Sequence, residues 1–486
     1  MALLSRTRLV LITLLPLFLT SCGDGDDISP RLESLVIVGA SGTMFPVFDS
    51  EIRHYGIRCD SSDVLQITAE AANRRQEIDT DGRLRARGSL GFEVANPAEG
   101  QDIVVTVSQR DRAERYTLHC IPNDVPAIEV LVSTADASDG LLFVTPRFVE
   151  SGDTKTYLMI MDNNGVPRFQ RKIDGRAADF KLQPNGLYTY ALGLGRNQFG
   201  NNDSAIVVLD QAFDEVDRLT TVGLTQTDSH DFIFTQEGTG IFISYNSTVR
   251  DMSAFGLSVE EVVGDSVIQE IDENRNVVFE WSSWDHIDVS DCQQTGYPRF
   301  PGDYGHLNAI SLTEDGDLIG SFRGCAQVLR IDRPSGAVDW YLGGSKSDYL
   351  ITGDPFGEFC GQHTAWQLEN GNVLMFDNGN FCLGDREALY GQFSRAVEYT
   401  PDSETGQAMF VRDYSLDGLY QAFTRSQGSV QPLSNGNWLI GWGNGPDMSV
   451  TEVNRAGEKV FEMRLAVGSD IAVSYRAFKG EISELQ

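Results

Sequence analysis

Two short patterns alternate along most of this 486-residue chain, and such repetition restricts the fold more than composition does. The first is an apolar strand ending in Asp or Asn, a turn, and a second strand. It occurs at Leu158-Met159-Ile160-Met161-Asp162, at Val207-Val208-Leu209-Asp210, and at Ile271-Asp272 leading to Phe279-Glu280-Trp281. It returns at Val328-Leu329-Arg330-Ile331-Asp332 leading to Val338-Asp339-Trp340, at Ala396-Val397-Glu398-Tyr399, and at Thr451-Glu452-Val453-Asn454. The second pattern is a hairpin. In one copy Thr364, Trp366 and Leu368 alternate on one face, Asn370-Gly371 offers a type I′ turn, and Val373-Leu374-Met375-Phe376 returns. Further copies run from Phe180 to Leu187, from His230 to Gly238, from His306 to Gly316 and from Gly428 to Asn437, with a degenerate first copy from Leu141 to Ser151. Four strands in roughly fifty to seventy-five residues is the period of a β-propeller with loop insertions. The expectation is an all-β, six-bladed β-propeller over residues 127–486, closed so that no sheet edge stays open, with Tyr475-Arg476-Ala477-Phe478 helping to seal it.

Ahead of the repeat, Leu35-Val36-Ile37-Val38, Val64 to Ala69, Ile103 to Val107 and Tyr116 to Cys120 read as strands at the spacing of a small β-sandwich, residues 31–126. Residues 1–22 read as a lipoprotein signal peptide. Arg6 and Arg8 precede an apolar run from Leu9 to Phe18, and Leu19-Thr20-Ser21-Cys22 has the form of a bacterial lipobox with Cys22 as the lipidated residue. Acyl chains there would hold the protein on a membrane. Residues 23–30, opening Gly23-Asp24-Gly25-Asp26-Asp27, form an acidic linker. The expected location is therefore an exported, membrane-anchored lipoprotein on the periplasmic or cell-surface side.

A formal net charge of −32, from 70 acidic and 38 basic residues, excludes a nucleic-acid partner, which would need a basic face. The acidic residues are spread through loops and strand ends and read as a solubilising surface. Without Cys22 six cysteines remain. An even number in an exported chain points to disulfides, and six allow fifteen pairings. Pairing within local units favours Cys59–Cys120, Cys292–Cys325 and Cys360–Cys382.

Aligning the hairpins on their turn glycines puts Ala178, His230, Asn308, His363 and Gly428 in one slot. His306, two residues before Asn308, falls on the same strand face. Three of the chain's six histidines thus point at one channel, and Arg323 follows the strand Leu318–Phe322 of the same hairpin as His306. Each taken alone is an ordinary structural residue. Together they form an anion pocket. Three histidines could hold zinc, but there is no HxH or HExxH pair and Arg323 would repel a cation, so no metal or other cofactor is expected. Transfer of an anionic group fits better. A neutral imidazole is a competent nucleophile, and arginine with the other histidines would bind the non-reacting oxygens and the leaving group. His119 and His286 read as structural. Tyr304 and Trp366 could wall an aryl ring, although Trp366 fits core packing at least as well.

Asp303-Tyr304-Gly305-His306-Leu307-Asn308-Ala309-Ile310, Ser321-Phe322-Arg323, Gln362-His363 with Asn370-Gly371-Asn372, and Phe376-Asp377-Asn378-Gly379 resemble the bacterial arylsulfate sulfotransferases. The resemblance covers most of the chain after Pro126. It implies a six-bladed propeller that moves a sulfuryl group from an aryl sulfate ester to a phenolic acceptor, without a nucleotide sulfate donor. It further implies that His363 is the transiently sulfated residue. His230, His306 and Arg323 then correspond to catalytic or oxyanion-binding positions, with Asn308, Tyr304 and Trp366 as candidate substrate contacts. Two other classes stay open from the residues: a non-catalytic cell-surface propeller that binds a ligand or protein, and a metal-dependent hydrolase or lyase on the same ring.

Overall fold

The computed structural model describes residues 29–39, 44–60, 62, 64–150, 153–196, 199, 202–292, 302–382, 385–445, 449–467 and 470–482. The signal peptide, Cys22 and most of the acidic linker lie outside the described residues. The protein is nearly all β. Among the described residues, the one α-helix is the single turn Arg386–Tyr390.

After residue 126 the described chain forms six sheets, and within each the core strands are antiparallel neighbours in chain order. The second sheet runs Ala177–Leu182, Tyr188–Arg196, Asn202–Leu209, Glu215–Leu219. The third runs Phe232–Phe234, Gly240–Arg250, Glu261–Ile271, Val277–Ser282, and the fourth Leu307–Leu312, Leu318–Phe322, Gln327–Ile331, Val338–Leu342. The fifth is His363–Gln367, Val373–Asp377, Arg395–Asp402, Gln407–Tyr414, with Leu350–Thr352 added in parallel at its outer edge. The sixth is Ser429–Pro432, Trp438–Gly441, Val450–Val453, Lys459–Val467, to which Ala127–Ser133 also pairs. In the first sheet Leu141–Glu150, Asp153–Met161 and Pro167–Asp174 are joined by Val473–Gly480 from the far end of the chain. Leu141–Glu150 is therefore the second strand of that sheet and no copy of the hairpin's first strand. The C-terminal segment takes that place.

Each sheet shares an apolar cluster with the next. Phe143 and Ile160 meet Phe180 and Val207. Ile206 and Val208 meet Phe232 and Phe242. Ile243 and Ile268 meet Leu307 and Leu318. Ile319 and Val328 meet Val373 and Met375. Leu374 and Phe376 meet Val430 and Ile440. Leu439 and Phe461 of the sixth sheet then meet Leu142 and Met159 of the first. Inner strands are covered on both faces, so they read as unbroken apolar runs without alternation. Val373, Leu374, Met375 and Phe376 are all 0% exposed, a burial stabilising by about 1.5–3 kcal/mol per side chain. The hairpin turn differs from expectation: Gly371 has φ +83°, whereas Asn370 is not left-handed, and the Gly371 N–H donates to Leu368 O. This is a tight turn followed by one left-handed glycine rather than the type I′ pair, which would need both central residues at positive φ.

The first strands of the sheets are also tied to one another. Lys181 Nζ pairs with Asp231, whose Oδ2 accepts the Ile310 N–H. Ser311 Oγ donates to Ala365 O, and Thr364 Oγ1 accepts the Val430 N–H. Ser429 Oγ donates to Ala477 O, and Arg476 returns to Asp179 and Asp231.

The N-terminal residues build two sheets on a separate core. One holds Leu32–Val38, Val64–Ala71 and Ser89–Ala95. The other holds His54–Arg58, Arg112–Ile121, Asp102–Gln109, Glu77–Thr80 and Leu84–Arg87. Leu65, Ile67 and Ala69 from one pack with Tyr55, Val105 and Leu118 from the other. Disulfides join Cys59 to Cys120, Cys292 to Cys325 and Cys360 to Cys382.

Candidate active site

The three aligned histidines sit where loops enter the first strands of three successive sheets. His230 lies two residues before Phe232–Phe234, His306 immediately precedes Leu307–Leu312, and His363 opens His363–Gln367. His306 is not an in-strand residue sharing a face with Asn308. Its φ is +47°, and the pairing register shifts between Leu307 and Ala309, so period-2 alternation does not carry through this point. The left-handed backbone swings His306 towards His230, ring centroids 5.2 Å apart, while Asn308 turns away and donates to Gln362 O at 2.8 Å.

Every one of these imidazoles is held at Nδ1. His306 Nδ1 meets Asp303 Oδ2 at 2.6 Å, and His230 Nδ1 meets Asp228 Oδ1. A carboxylate accepts only, so each of these two rings donates from Nδ1. His363 differs, since its Nδ1 meets an amide, Asn378 Oδ1, at 2.7 Å. The Asn378 amide cannot turn around, because its Nδ2 donates to both Thr424 O and Gln427 O. Its oxygen therefore faces the ring, Nδ1 is the donor, and Nε2 keeps its lone pair. The Gln427 N–H, on a residue at φ +70°, donates to that Nε2 at 3.1 Å.

His363 is 2% exposed. Burial first, then the Arg323 guanidinium, and the charges of His230 and His306 push its pKa well below the ordinary histidine value, against a smaller opposing effect of Asn378. It is a neutral imidazole at pH 7. Arg323 begins the short turn Arg323–Cys325, ends on a disulfide through Cys325, and donates from Nη2 to Arg425 O at 3.2 Å. The Arg323 N–H bonds His306 O, so the two residues are locked by backbone.

Tyr475, expected from the sequence only to help seal the ring, joins the cluster. Its ring lies 5.8 Å from His230 and 6.5 Å from His363, and its buried hydroxyl has no partner among the described residues. The signal that could have found it is its place in the closing strand, directly before the buried Arg476. Two expected substrate contacts lie elsewhere. Tyr304 is fully buried, with its hydroxyl on Ser283 Oγ and its ring against Trp284. Trp366 donates to Val430 O and lines a separate cavity that none of the three histidines borders. The remaining histidines are outside the cluster. His286 stacks on Trp281 and bonds Ser282 O, and His54 and His119 pair in the N-terminal sheets. Among the described residues, no three His, Cys, Asp or Glu side chains are placed to hold a metal ion.

A family model described as "Arylsulfotransferase (ASST)" matches residues 193–466, a span that includes all three clustered histidines and Arg323. Arylsulfate sulfotransferase AssT of Escherichia coli O6:H1 (strain CFT073) is 30% identical over 83 residues, 17% of this chain and 14% of that protein's length. The matched stretch thus spans only a small part of that curated relative. Among solved structures, a protein of unknown function from Bacteroides caccae is 12% identical, covering 71% of this chain and 100% of its own, with a TM-score of 0.44. A streptogramin B lyase is 9% identical over 71% of this chain and 88% of its own, with a TM-score of 0.37.

Proposed function

Because the chain belongs to the arylsulfotransferase (ASST) family, we propose that it moves a sulfuryl group from an aryl sulfate ester to a phenolic acceptor through a sulfohistidine at His363, with no nucleotide donor. The observation that carries this reading is the contrast among the three imidazoles. One has its Nδ1 on an amide and its Nε2 free of a proton, and two have Nδ1 on carboxylates.

In the first half-reaction Nε2 of His363 exchanges the Gln427 N–H for the sulfur atom and attacks it in line. The N–S bond forms, the S–O(aryl) bond breaks, and the electron pair leaves on the phenolate. Arg323 and one of His230 or His306 offset charge on the sulfuryl oxygens, and the other gives its Nε2 proton to the phenolate. In the second half-reaction the same imidazole takes the proton of an acceptor phenol. The phenol oxygen attacks sulfur, and the N–S pair returns to His363. The transition state is loose, like that of phosphoryl transfer, so positioning and charge carry most of the rate. Asn308 supports the site by holding Gln362, the neighbour of His363. Tyr475 contributes a hydroxyl beside two of the imidazoles.

The scaffold we assign is a β-sandwich over 31–126 followed by a six-bladed propeller over 127–486. The circuit of inter-strand bonds from Asp231 through Ile310, Ala365, Val430 and Ala477 back to Asp179 supports closure. Export and anchoring through Cys22 agree with the three disulfides. Among the described residues no helix is long and apolar enough to cross a membrane.

The test is to incubate protein with 4-nitrophenyl sulfate alone and map the modified residue. One equivalent of 4-nitrophenol and sulfate on His363 are expected, with transfer to added phenol. A burst that persists in His363→Ala refutes the assignment, and activity that a chelator removes and a metal restores replaces it with metal chemistry.

A further inference from the structure

A cavity of about 440 Å³ is bordered by Lys181, Asp231 and Arg476, which with Asp179 form a charged layer. The cavity lining is one residue away from the histidine site at three points: His230 precedes Asp231, His363 precedes Thr364, and Tyr475 precedes Arg476. The second member of each pair borders the cavity, and the first does not. The three imidazoles are therefore not part of the cavity lining.

Its walls are apolar: Phe143, Leu182, Ile233, Ile310, Leu312 and Phe478, with the Trp366 ring. The polar groups among them are already spoken for. Lys181 and Arg476 face Asp179 and Asp231, and Lys479 faces Glu452, so three cations meet three carboxylates. Ser311 Oγ bonds Ala365 O, Trp366 Nε1 bonds Val430 O, and Gln431 exchanges two hydrogen bonds with the Lys479 backbone. The exception is Arg476 Nε, a buried donor with no partner among the described residues. A charged ligand would find no surplus of either sign here and would lose its hydration on entry. An uncharged ring would keep its contacts, and one acceptor oxygen would satisfy the open donor. The volume lies in the range of small-molecule sites.

We propose that this chamber is a binding site for a small uncharged aromatic molecule carrying one hydrogen-bond acceptor. It is distinct from the sulfuryl-transfer site. The probe is 4-fluoroacetophenone, followed by ¹⁹F NMR titration of the whole protein. The expected dissociation constant is below about 1 mM. It should be at least about threefold tighter than for 4-fluorotoluene, which lacks the acceptor, and at least about tenfold tighter than for 4-fluorobenzoate, which is charged. Leu312→Trp, filling the chamber from a half-buried wall position, should weaken binding at least about tenfold, and Ile233→Ala at least about threefold. Retained sulfuryl transfer and circular dichroism show that each variant is folded. In His363→Ala, which cannot turn the donor over, 4-nitrophenyl sulfate should leave the titration unchanged. Absence of saturable binding, indifference to both wall variants, preference for the benzoate, or one-for-one displacement by 4-nitrophenyl sulfate each overturns the proposal.

Discussion

Replacing Asn378 by Asp changes one atom pair in the site and should move the pH profile of the first half-reaction. In the wild type the Asn378 amide presents a neutral oxygen to His363 Nδ1, locked there by Thr424 O and Gln427 O. Burial and the Arg323 charge then keep the ring neutral far below its ordinary titration range. A carboxylate at the same 2.7 Å makes the hydrogen bond charge-assisted whenever the ring is protonated. Hydrogen bonds to charged groups contribute about 1.5–3 kcal/mol against about 1 for neutral pairs. The imidazolium therefore gains roughly 1–2 kcal/mol, a factor of about ten in its favour. Below the new titration point Nε2 carries a proton and cannot attack. The acid limb of the 4-nitrophenol burst, measured by rapid quench with 4-nitrophenyl sulfate, should move up by about one pH unit, with the alkaline plateau reduced far less. Asp also abandons the two carbonyls that Asn378 served, which costs stability but does not move a pH limb. If the limb of Asn378→Asp coincides with that of the wild type while the protein is folded, His363 is not the group whose neutral form reacts. An intact burst in Asn378→Ala at pH 7 would equally show that no tautomer is being held.

Arg323→Ala should lower kcat/KM by about 10²–10³-fold, the loss of one preorganised oxyanion donor, in a steady-state assay with 4-nitrophenyl sulfate and phenol. Asp303→Asn, which replaces the carboxylate on His306, should lower turnover by about 10²–10⁴-fold and steepen the dependence on leaving-group acidity, measured over a series of aryl sulfates. Removing the Cys292–Cys325 bridge by double substitution to Ala opens a 33-residue loop and should cost about 3–4 kcal/mol in urea unfolding, with a larger drop in activity than the other two bridges give because Cys325 ends the Arg323 turn. His54 has a pKa lowered to about 4, by burial first and then by Arg168 and His119. The folded state thus resists a proton that the unfolded chain accepts near pH 6.5, so stability falls as pH drops from about 6.5 towards 4. His54→Gln should flatten that slope in thermal melts, and an unchanged slope would assign it to other groups.

The strands were legible because two-sided burial leaves continuous apolar runs, as at Val373–Phe376, and because turn glycines punctuate them at fixed offsets. Aligning those glycines was enough to place His230 and His363 at equivalent positions, since both sit at strand mouths where loop and sheet meet. His306 was brought to the cluster for a different reason than the alignment supplied, a left-handed residue that no count of alternating positions can foresee. Asp228, Asp303 and Asn378 were invisible as orienting groups because an acceptor on Nδ1 is a matter of orientation in space and not of spacing. Tyr475 and Arg476 were expected as part of a sealing segment, but their place beside the histidines escaped for want of any repeat: their strand completes a sheet begun more than three hundred residues earlier, and the hydrogen bond from Thr145 N–H to Ser474 Oγ spans 329 positions.

That long-distance pairing has a consequence for how the protein comes into being. A chain emerging from the ribosome, or threading through a secretion pore, can assemble five of its sheets while the first still shows Leu141–Glu150 as an unpaired edge. The residues that cap this edge also deliver Tyr475 to the histidines and Arg476 to the charged layer. Closing the first sheet and completing the cluster are thus one event. A product cut short before residue 473 would keep that edge open and lack both side chains.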